Sequence, residues 1–152
     1  MPSVPGLRSP YVKVGRLVYF GRMLDKIRLH AAGNLPAEYQ ANLGEARPNL
    51  FDARSCRFLG VKHADLAART LQGGTDGELL AWAHAHGTPR TDDECNAWNR
   101  FMMKIGWRDE RSAVLQERVR EYGLAGKPIE TFFDLIDYDE GRDPVAAKAW
   151  LW

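Results

Sequence analysis

Repeated helix-start and helix-stop signals constrain the fold of this chain more than any other feature of its sequence. Residues 75–78 (TDGE) and 91–94 (TDDE) are capping boxes, in which a Thr is followed three residues later by a Glu. Gly87 and Gly106 stand where the helices that follow these boxes should end. Each box therefore predicts a short helix that begins directly after it and ends at the glycine.

Similar signals recur along the rest of the chain. They predict further helices over residues 10–32, 36–43, 63–72, 109–122 and 128–138, with a last short helix after Asp143 and Pro144. Seven or eight short helices joined by brief loops indicate a mainly α fold, built as a compact single domain over residues 1–152. We expect residues 1–9 to form an extended N-terminal arm and residues 143–152 a C-terminal appendage.

Two segments depart from the helical pattern. Residues 17–20 are β-prone, so a short strand remains open there. Residues 55–61 predict either a buried strand or an extended linker, because a short apolar run of this length fits both. We therefore expect one short extended segment near residues 55–61 beside the helices.

Composition and charge argue against several classes of function. The 21 Lys and Arg residues balance 20 Asp and Glu residues, and a net charge of +1 argues against nucleic-acid binding. No run of about 18 apolar residues occurs, which argues against a membrane span. The N-terminus lacks the apolar segment of a secretory signal, and two distant cysteines cannot form a disulfide framework, so we expect a cytoplasmic protein. A homo-oligomer remains open.

The helix expected over residues 15–32 carries charge on both sides of its apolar stripe. The stripe itself comprises Phe20, Met23, Leu24, Ile27 and Ala31. Arg22, Asp25 and Lys26 lie on the opposite face, with apolar residues between them. Arg28 and His30 flank the stripe. Because apolar residues occur on both faces, we expect the helix to be covered on both sides and its charges to be at least half-buried.

The charges on this helix do not balance. Asp25 lies three residues from both Arg22 and Arg28, which is pairing distance on a helix, so we expect it to anchor the arginines rather than act as a base. Arg22, Lys26 and Arg28 nevertheless outnumber this one carboxylate. A buried excess of positive charge needs an anion from elsewhere. That anion is either a carboxylate or phosphate group of a ligand, or an acidic side chain of the same chain.

An acidic cluster in the helix expected over residues 128–138 is the intramolecular candidate. Glu130, Asp134 and Asp137 share one of its faces, and further carboxylates crowd its C-terminal end, where the helix dipole disfavours negative charge. Three outcomes remain open: solvation, pairing with the cations described above or with Arg142, and Mg²⁺ bound by Asp134 and Asp137. We favour an ion-pair network or a solvated face over a ligand site, and a ligand site over a metal.

Six segments of the chain together resemble one known family. They are residues 7–11 (LRSPY), 21–28 (GRMLDKIR), 56–61 (CRFLGV), 106–110 (GWRDE), 131–134 (TFFD) and 139–142 (DEGR). From about residue 7 to residue 142, the chain is similar to an uncharacterised bacterial family catalogued as domain of unknown function 5069. The resemblance implies a bacterial single-domain protein, and it implies no activity and no catalytic residue.

We expect a pocket beside the helix at residues 15–32 that binds an anionic small molecule. The side chains expected to hold or orient its carboxylate or phosphate are Arg22, Asp25, Lys26, Arg28 and Arg142. The rings expected to flank it are Tyr11, Tyr19, Trp107 and Phe133. Should the protein be an enzyme, Asp134, Asp137 or His30 would carry out proton transfer.

The alternative hypothesis is a non-catalytic interaction or structural module. Its charge clusters would be internal ion-pair networks, and its aromatic C-terminus, with Trp150 and Trp152, would dock a partner. Neither hypothesis requires a metal or another cofactor.

Overall fold

Short helices make up most of the chain in the computed structural model, which describes residues 3–151. In chain order the elements are β1 (Lys13–Val14), β2 (Leu17–Val18), α1 (Phe20–Ala31), α2 (Ala37–Gln40), α3 (Phe51–Leu59), α4 (His63–Leu71), α5 (Asp76–His86), α6 (Asp92–Lys104), α7 (Ser112–Glu121), α8 (Phe132–Asp139), α9 (Pro144–Ala147) and a 3-10 helix at Ala149–Leu151. The prediction of a mainly α domain is confirmed. Within the described residues, no helix is both long enough and apolar enough to cross a membrane.

Helix starts that the sequence marks with a side-chain cap are confirmed for α5, α6 and α9. Thr75 accepts a hydrogen bond from the backbone N–H of Glu78 at the start of α5 (3.1 Å). At the start of α6, Thr91 accepts the N–H of Glu94, and the Glu94 carboxylate accepts the N–H of Thr91 in return. At the start of α9, the Asp143 side chain accepts the backbone N–H of Val145 (3.0 Å). Local hydrogen bonding therefore sets where these helices begin.

The helix predicted over residues 10–32 begins later than expected, because a β-hairpin precedes it. β1 and β2 pair antiparallel, with Lys13 opposite Val18. The buried Asn99 of α6 holds the hairpin, since its side chain accepts the N–H of Val18 (3.0 Å) and donates to a carbonyl in the turn (2.7 Å). The β-prone residues 17–20 thus supply the second strand, and α1 starts at Phe20.

Residues 55–61 are not extended, and that part of the fold prediction is wrong. Most of them belong to α3, which ends where Gly60 adopts a left-handed conformation (φ 69°). The buried residues of α3 are Asp52, Ala53, Ser55, Cys56 and Leu59. These positions have helical spacing, but the polar Asp52 and Ser55 interrupt the apolar stripe and so hide the helix from a search for hydrophobic periodicity.

Helices α7 and α8 also begin later than predicted. Asp109 accepts two backbone N–H groups of its own loop, each at 2.9 Å, so it orders the turn before α7 and the helix starts at Ser112. Pro128 lies outside α8, whose cap is Thr131. In both cases a residue with the chemistry of a helix start lies in the preceding loop.

The helix α1 is covered on both faces, as its sequence predicts. Four residues of its apolar stripe, Phe20, Met23, Leu24 and Ile27, are buried in the main core against α4, α5 and the hairpin, whereas Ala31 at the end of the helix is exposed. A second, smaller cluster formed by Val4, Leu7, Leu35 and Tyr39 packs against Leu29 on another side of the helix. Arg22, Asp25 and Lys26 are consequently buried. The fold therefore places three charged side chains of one helix away from solvent.

Candidate functional site

A cavity of about 560 Å³ lies beside α1, enclosed by α7, α8 and the segment of residues 38–51. Arg22 and Lys26 of α1 line it, together with Glu140 at the end of α8. The apolar side chains that line it are Leu50, Phe51, Val114, Phe132, Leu135 and Ile136. Its volume lies within the range of cavities that bind small molecules. A hollow therefore exists between the two helices that the sequence singled out.

Arg22 and Glu140 form a buried ion pair at this cavity. Nη2 of Arg22 lies 2.6 Å from Oε2 of Glu140, and Nη1 lies 2.9 Å from Oε1. The Tyr39 hydroxyl (2.9 Å) and Arg142 (2.6 Å) donate to the same carboxylate. Burial opposes ionisation of Glu140, but these donors outweigh burial and hold the pKa of Glu140 below its ordinary value. The Glu140 carboxylate is therefore ionised at neutral pH, and it neutralises the positive charge of Arg22.

Lys26 has a different carboxylate partner. Its Nζ donates to Oδ1 of the completely buried Asp52 (2.9 Å), to the carbonyl of Asn42 (2.7 Å) and to the hydroxyl of Tyr19 (3.2 Å). Burial lowers the pKa of Lys26, and the nearby Asp52 opposes that shift. Because an ammonium group has three N–H donors, all of them are used within the protein.

Tyr19 reaches this cluster from a strained backbone position. Its φ is 68°, in the left-handed region that a bulky side chain rarely adopts. Its ring packs against Phe51 and Phe133, and its hydroxyl donates to Oδ1 of Asp52 at 2.6 Å. Burial and the negative charge of Asp52 raise the pKa of Tyr19, so the phenol stays protonated. Packing and this hydrogen bond offset the strain and hold the phenol at the cavity.

His63 lies on the other side of Asp52. Its Nε2 is 3.7 Å from Oδ2 of Asp52 and has no hydrogen-bond partner among residues 3–151. Burial lowers the pKa of His63 and outweighs the attraction of Asp52 for the charged form. His63 is therefore neutral at neutral pH and leaves the pairing of Lys26 with Asp52 undisturbed.

Asp25 and Arg28 lie in a second ion-pair cluster that does not line the cavity. Arg8 donates to both oxygens of Asp25, at 2.8 and 2.9 Å, whereas Arg28 lies 3.7 Å from that carboxylate. Asp76 at the start of α5 joins the two arginines, 2.8 Å from Arg8 and 3.1 Å from Arg28. The expected contact between Asp25 and Arg28 is present, but the expected pairing of Asp25 with Arg22 is wrong, because Arg22 pairs with Glu140 and Arg8 is the main partner of Asp25.

Asp137 and Arg142 also pair beside the cavity rather than in it. Nη1 of Arg142 lies 3.2 Å from Oδ1 of Asp137, and the Ser9 hydroxyl donates to Oδ2 at 2.7 Å. Burial raises the pKa of Asp137, although Ser9 and Arg142 counteract this shift. Neither Asp137 nor Arg142 lines the cavity.

Asp134 is held one helical turn earlier on α8. Its carboxylate accepts hydrogen bonds from the Tyr11 hydroxyl (2.6 Å) and from Lys148 (3.1 Å). A Mg²⁺ ion bound by Asp134 and Asp137 would have to displace Lys148 and Arg142 from these carboxylates. The described residues contain no group of three or more His, Cys, Asp and Glu side chains arranged to hold a metal.

The remaining predicted site residues lie apart. His30 is exposed at the end of α1, and Trp107 is 43% exposed after α6. Tyr11 and Phe133 are buried in the core. Of the four rings expected to flank a ligand, Tyr19 alone lines this cavity.

The expected excess of positive charge on α1 does not exist, because other elements supply the missing carboxylates. The partners of Arg22, Lys26 and Arg28 are Glu140, Asp52 and Asp76, respectively. Glu140 belongs to the acidic cluster that the sequence indicated. Asp52 and Asp76 come from α3 and α5, and no pattern along the chain places those helices against α1.

Three arginines outside the predicted site line the cavity, namely Arg47, Arg111 and Arg118. Arg47 donates only to neutral oxygens, both at 3.3 Å, and the guanidinium of Arg111 lies 5.3 Å from the centre of the Phe132 ring. Arg118 reaches Glu121 only at 3.9 Å. Within residues 3–151, none of the three has a carboxylate as close as the partners of Arg22 and Lys26.

A periodic pattern along α7 and the two residues that flank it could have revealed two of these arginines. Arg111, Val114, Arg118 and Tyr122 follow one another at spacings of three or four residues, and all four line the cavity. Leu115 and Val119 face the core instead. A mixed stripe of arginine, valine and tyrosine next to an apolar stripe is the sequence signal for this wall.

Comparison with protein families gives one match. The family model described as "Domain of unknown function (DUF5069)" matches residues 4–142. A search of curated proteins found no match. The description of the family model assigns no activity, so the cavity and its side chains are the basis for any statement about function.

Proposed function

The chain belongs to the DUF5069 family, and we propose that it binds an anionic small molecule, a carboxylate or a phosphate ester, in the cavity beside α1. The observation that carries this proposal is the presence of Arg47, Arg111 and Arg118 around a cavity of small-molecule size, without close carboxylate partners in the described chain. Guanidinium groups offer paired N–H donors that match carboxylate and phosphate oxygens. These three arginines would hold the anionic group.

The cations of α1 have a supporting part in this proposal. Arg22 and Lys26 line the cavity, but Arg22 donates to Glu140 and to the carbonyl of Arg8, and Lys26 donates to Asp52, to a carbonyl and to a hydroxyl. They would keep the wall of the cavity rigid. Arg28 and Arg142 would stabilise the neighbouring ion-pair clusters. The ligand would be bound by Arg47, Arg111 and Arg118.

A second candidate function is a non-catalytic interaction or structural module, and the pairing of the buried charges favours it. The C-terminal part of that hypothesis has less support, since Nε1 of Trp150 donates to the carbonyl of Tyr11 (3.0 Å) and Lys13 lies over its ring. Trp150 thus packs on its own domain. Trp152 lies outside the described residues.

We further propose a bacterial, cytoplasmic protein. Cys56 and Cys95 are buried free thiols, which suits a reducing compartment. Burial raises the pKa of the Cys56 thiol to about 12, so it stays protonated and unreactive. Fractionation of the source cells with an antibody against the native protein tests the location, and recovery in a secreted fraction would contradict it.

Thermal unfolding with added anions tests the binding proposal. Inorganic phosphate, phenyl phosphate and benzoate are titrated at constant ionic strength, with chloride as the control. A ligand of the folded state raises stability by RT ln(1 + [L]/Kd), about 2.7 kcal/mol at a concentration of about 100 Kd. We expect a saturable rise in Tm for at least one of these anions. No rise beyond the chloride control with any of them would contradict the proposal and favour the structural module.

A further inference from the structure

We propose that the ligand of this cavity is an aromatic anion, with its ring against the apolar wall and its charged group at Arg111 and Arg118. This inference rests on the proposed function, because it names the class of anion that the same site selects. Sugar phosphates and other polyol anions are the excluded class. The observations that carry it are the rings around the cavity and the internal hydrogen bonds of the buried Tyr19, Lys26 and Tyr39.

Five aromatic side chains line the cavity beside the four aliphatic ones. The rings are Tyr19, Tyr39, Phe51, Tyr122 and Phe132. Aromatic groups gain more from contact with one another than apolar burial alone provides, through offset stacking or edge-to-face packing. A planar ring in the ligand would therefore use this wall better than an alkyl chain of similar volume.

Three buried polar side chains form the inner side of the cavity, namely Tyr19, Lys26 and Tyr39, and each already has partners within the chain. The Tyr19 hydroxyl donates to Asp52 and accepts from Lys26, and the Tyr39 hydroxyl donates to Glu140. All N–H donors of Lys26 are likewise used within the protein. A ligand rich in hydroxyl groups would lose its hydrogen bonds to water here and find few partners, which is costly. An apolar ring pays no such cost.

The position of Arg111 sets the distance between ring and charge. Its guanidinium lies over the face of Phe132, so a cationic donor adjoins an aromatic wall directly. Arg118 follows two helical turns later, about 10 Å along the helix axis. An anion joined to a single ring by a short link can touch the Phe132 wall and reach Arg111 at once.

Isothermal titration with three phosphates tests this inference. Phenyl phosphate, inorganic phosphate and ribose 5-phosphate share the anionic group and differ in what it carries. We expect phenyl phosphate to bind about tenfold more tightly, or better, than either of the others, because burial of the ring adds apolar contact. Ribose 5-phosphate binding as tightly as phenyl phosphate would overturn the inference. Binding of none of the three would instead count against the proposed function.

Matched variants locate the ring. Tyr122 is 43% exposed and lines the cavity, whereas Phe101 is 48% exposed on α6 and does not. We expect Tyr122→Leu to weaken phenyl phosphate binding about two- to tenfold and to leave inorganic phosphate unchanged, because it removes only an aromatic contact. Phe101→Leu should change neither. Equal loss for both ligands in Tyr122→Leu, or no loss in both Tyr122→Leu and Phe132→Leu, would overturn the inference.

Discussion

Arg22 and Glu140 are separated by 118 positions in the chain and meet in a two-point ion pair that is almost fully removed from solvent. The pair ties the first long helix to the residue that ends α8, directly beside the cavity. Buried pairs of this kind contribute little net stability when compared with apolar replacements. Removing one partner is nevertheless destabilising, because the other charge stays buried without it. Arg22 and Glu140 therefore connect α1 to the end of α8, and replacing either residue destabilises the buried charge of the other.

Arg22→Met should lower the free energy of unfolding by about 1.5–3 kcal/mol, because the buried Glu140 carboxylate loses its two-point partner and keeps only Arg142 and the Tyr39 hydroxyl as donors. Chemical denaturation measures the loss. The double variant Arg22→Met, Glu140→Leu should recover part of it, and a double-mutant cycle gives the coupling between the two sites. A loss below about 1 kcal/mol in the single variant would show that the pair is not buried as described.

Stability should depend on pH through His63. Burial lowers its pKa in the folded state below the ordinary value of 6.5, and the charged groups that face it are Asp52, Lys26 and Glu45. As pH falls below about 6.5, the unfolded state takes up this proton more readily than the folded state, so the free energy of unfolding falls. Above about pH 6.5, the contribution of the neutral His63 to the free energy of unfolding is fully present.

Denaturation at a series of pH values from about 7 to about 5 measures this effect. His63→Gln should flatten the fall in stability over that range. His86→Gln, which replaces an exposed histidine on α5, is the control and should keep the wild-type slope. An unchanged slope in His63→Gln would contradict the assignment.

Gly106 is a position where an added methyl group should disturb the cavity wall. It has φ 100°, and a Cβ atom there would lie 2.9 Å from Cδ2 of Phe132 and 3.0 Å from Cδ2 of Leu115. Gly106→Ala should lower the free energy of unfolding by about 1–3 kcal/mol through backbone strain and overlap. Gly126→Ala is the matched control, since nothing lies within 4 Å of its added Cβ. Equal stability of the two variants in thermal unfolding would refute this packing.

Much of the helical fold could be predicted from the sequence, because caps are local chemistry. Thr75 and Thr91 bond to residues three positions away, so their helices can be located without knowledge of the tertiary structure. The β-hairpin is different, since it depends on Asn99, more than 80 residues further along the chain. The helix α3 escaped prediction because Asp52 is buried by a tertiary contact with Lys26 and Tyr19 that no local pattern reveals.

In the candidate site, too, local features could be predicted from the sequence and tertiary contacts could not. Arg22 and Lys26 could be found because apolar neighbours on both faces of one helix indicate burial, which is a local property. Their partners could be found only in part, since the pairing of a cation depends on which distant helix packs against it. The stripe that contains Arg111 and Arg118 is visible in the sequence, but it does not by itself predict a site, because such a stripe also fits an ordinary solvated helix face.

Our central proposal is that ligand anions bind Arg111 and Arg118 at the cavity, whereas the charges of α1 are structural. Isothermal titration of phenyl phosphate and of inorganic phosphate tests it most directly. The titrations compare the wild type with the double variant Arg111→Gln, Arg118→Gln and with two single variants, Arg120→Gln and Arg28→Gln. Arg120 is an exposed arginine of α7 that does not line the cavity, and Arg28 lies in the Asp25–Asp76 cluster.

We predict that the double variant stays folded and binds each anion at least about tenfold more weakly, since each charge-assisted hydrogen bond is worth about 1.5–3 kcal/mol. Arg120→Gln and Arg28→Gln should bind as the wild type does. Wild-type affinity in the double variant, or loss of binding in a folded Arg28→Gln protein, would contradict the account.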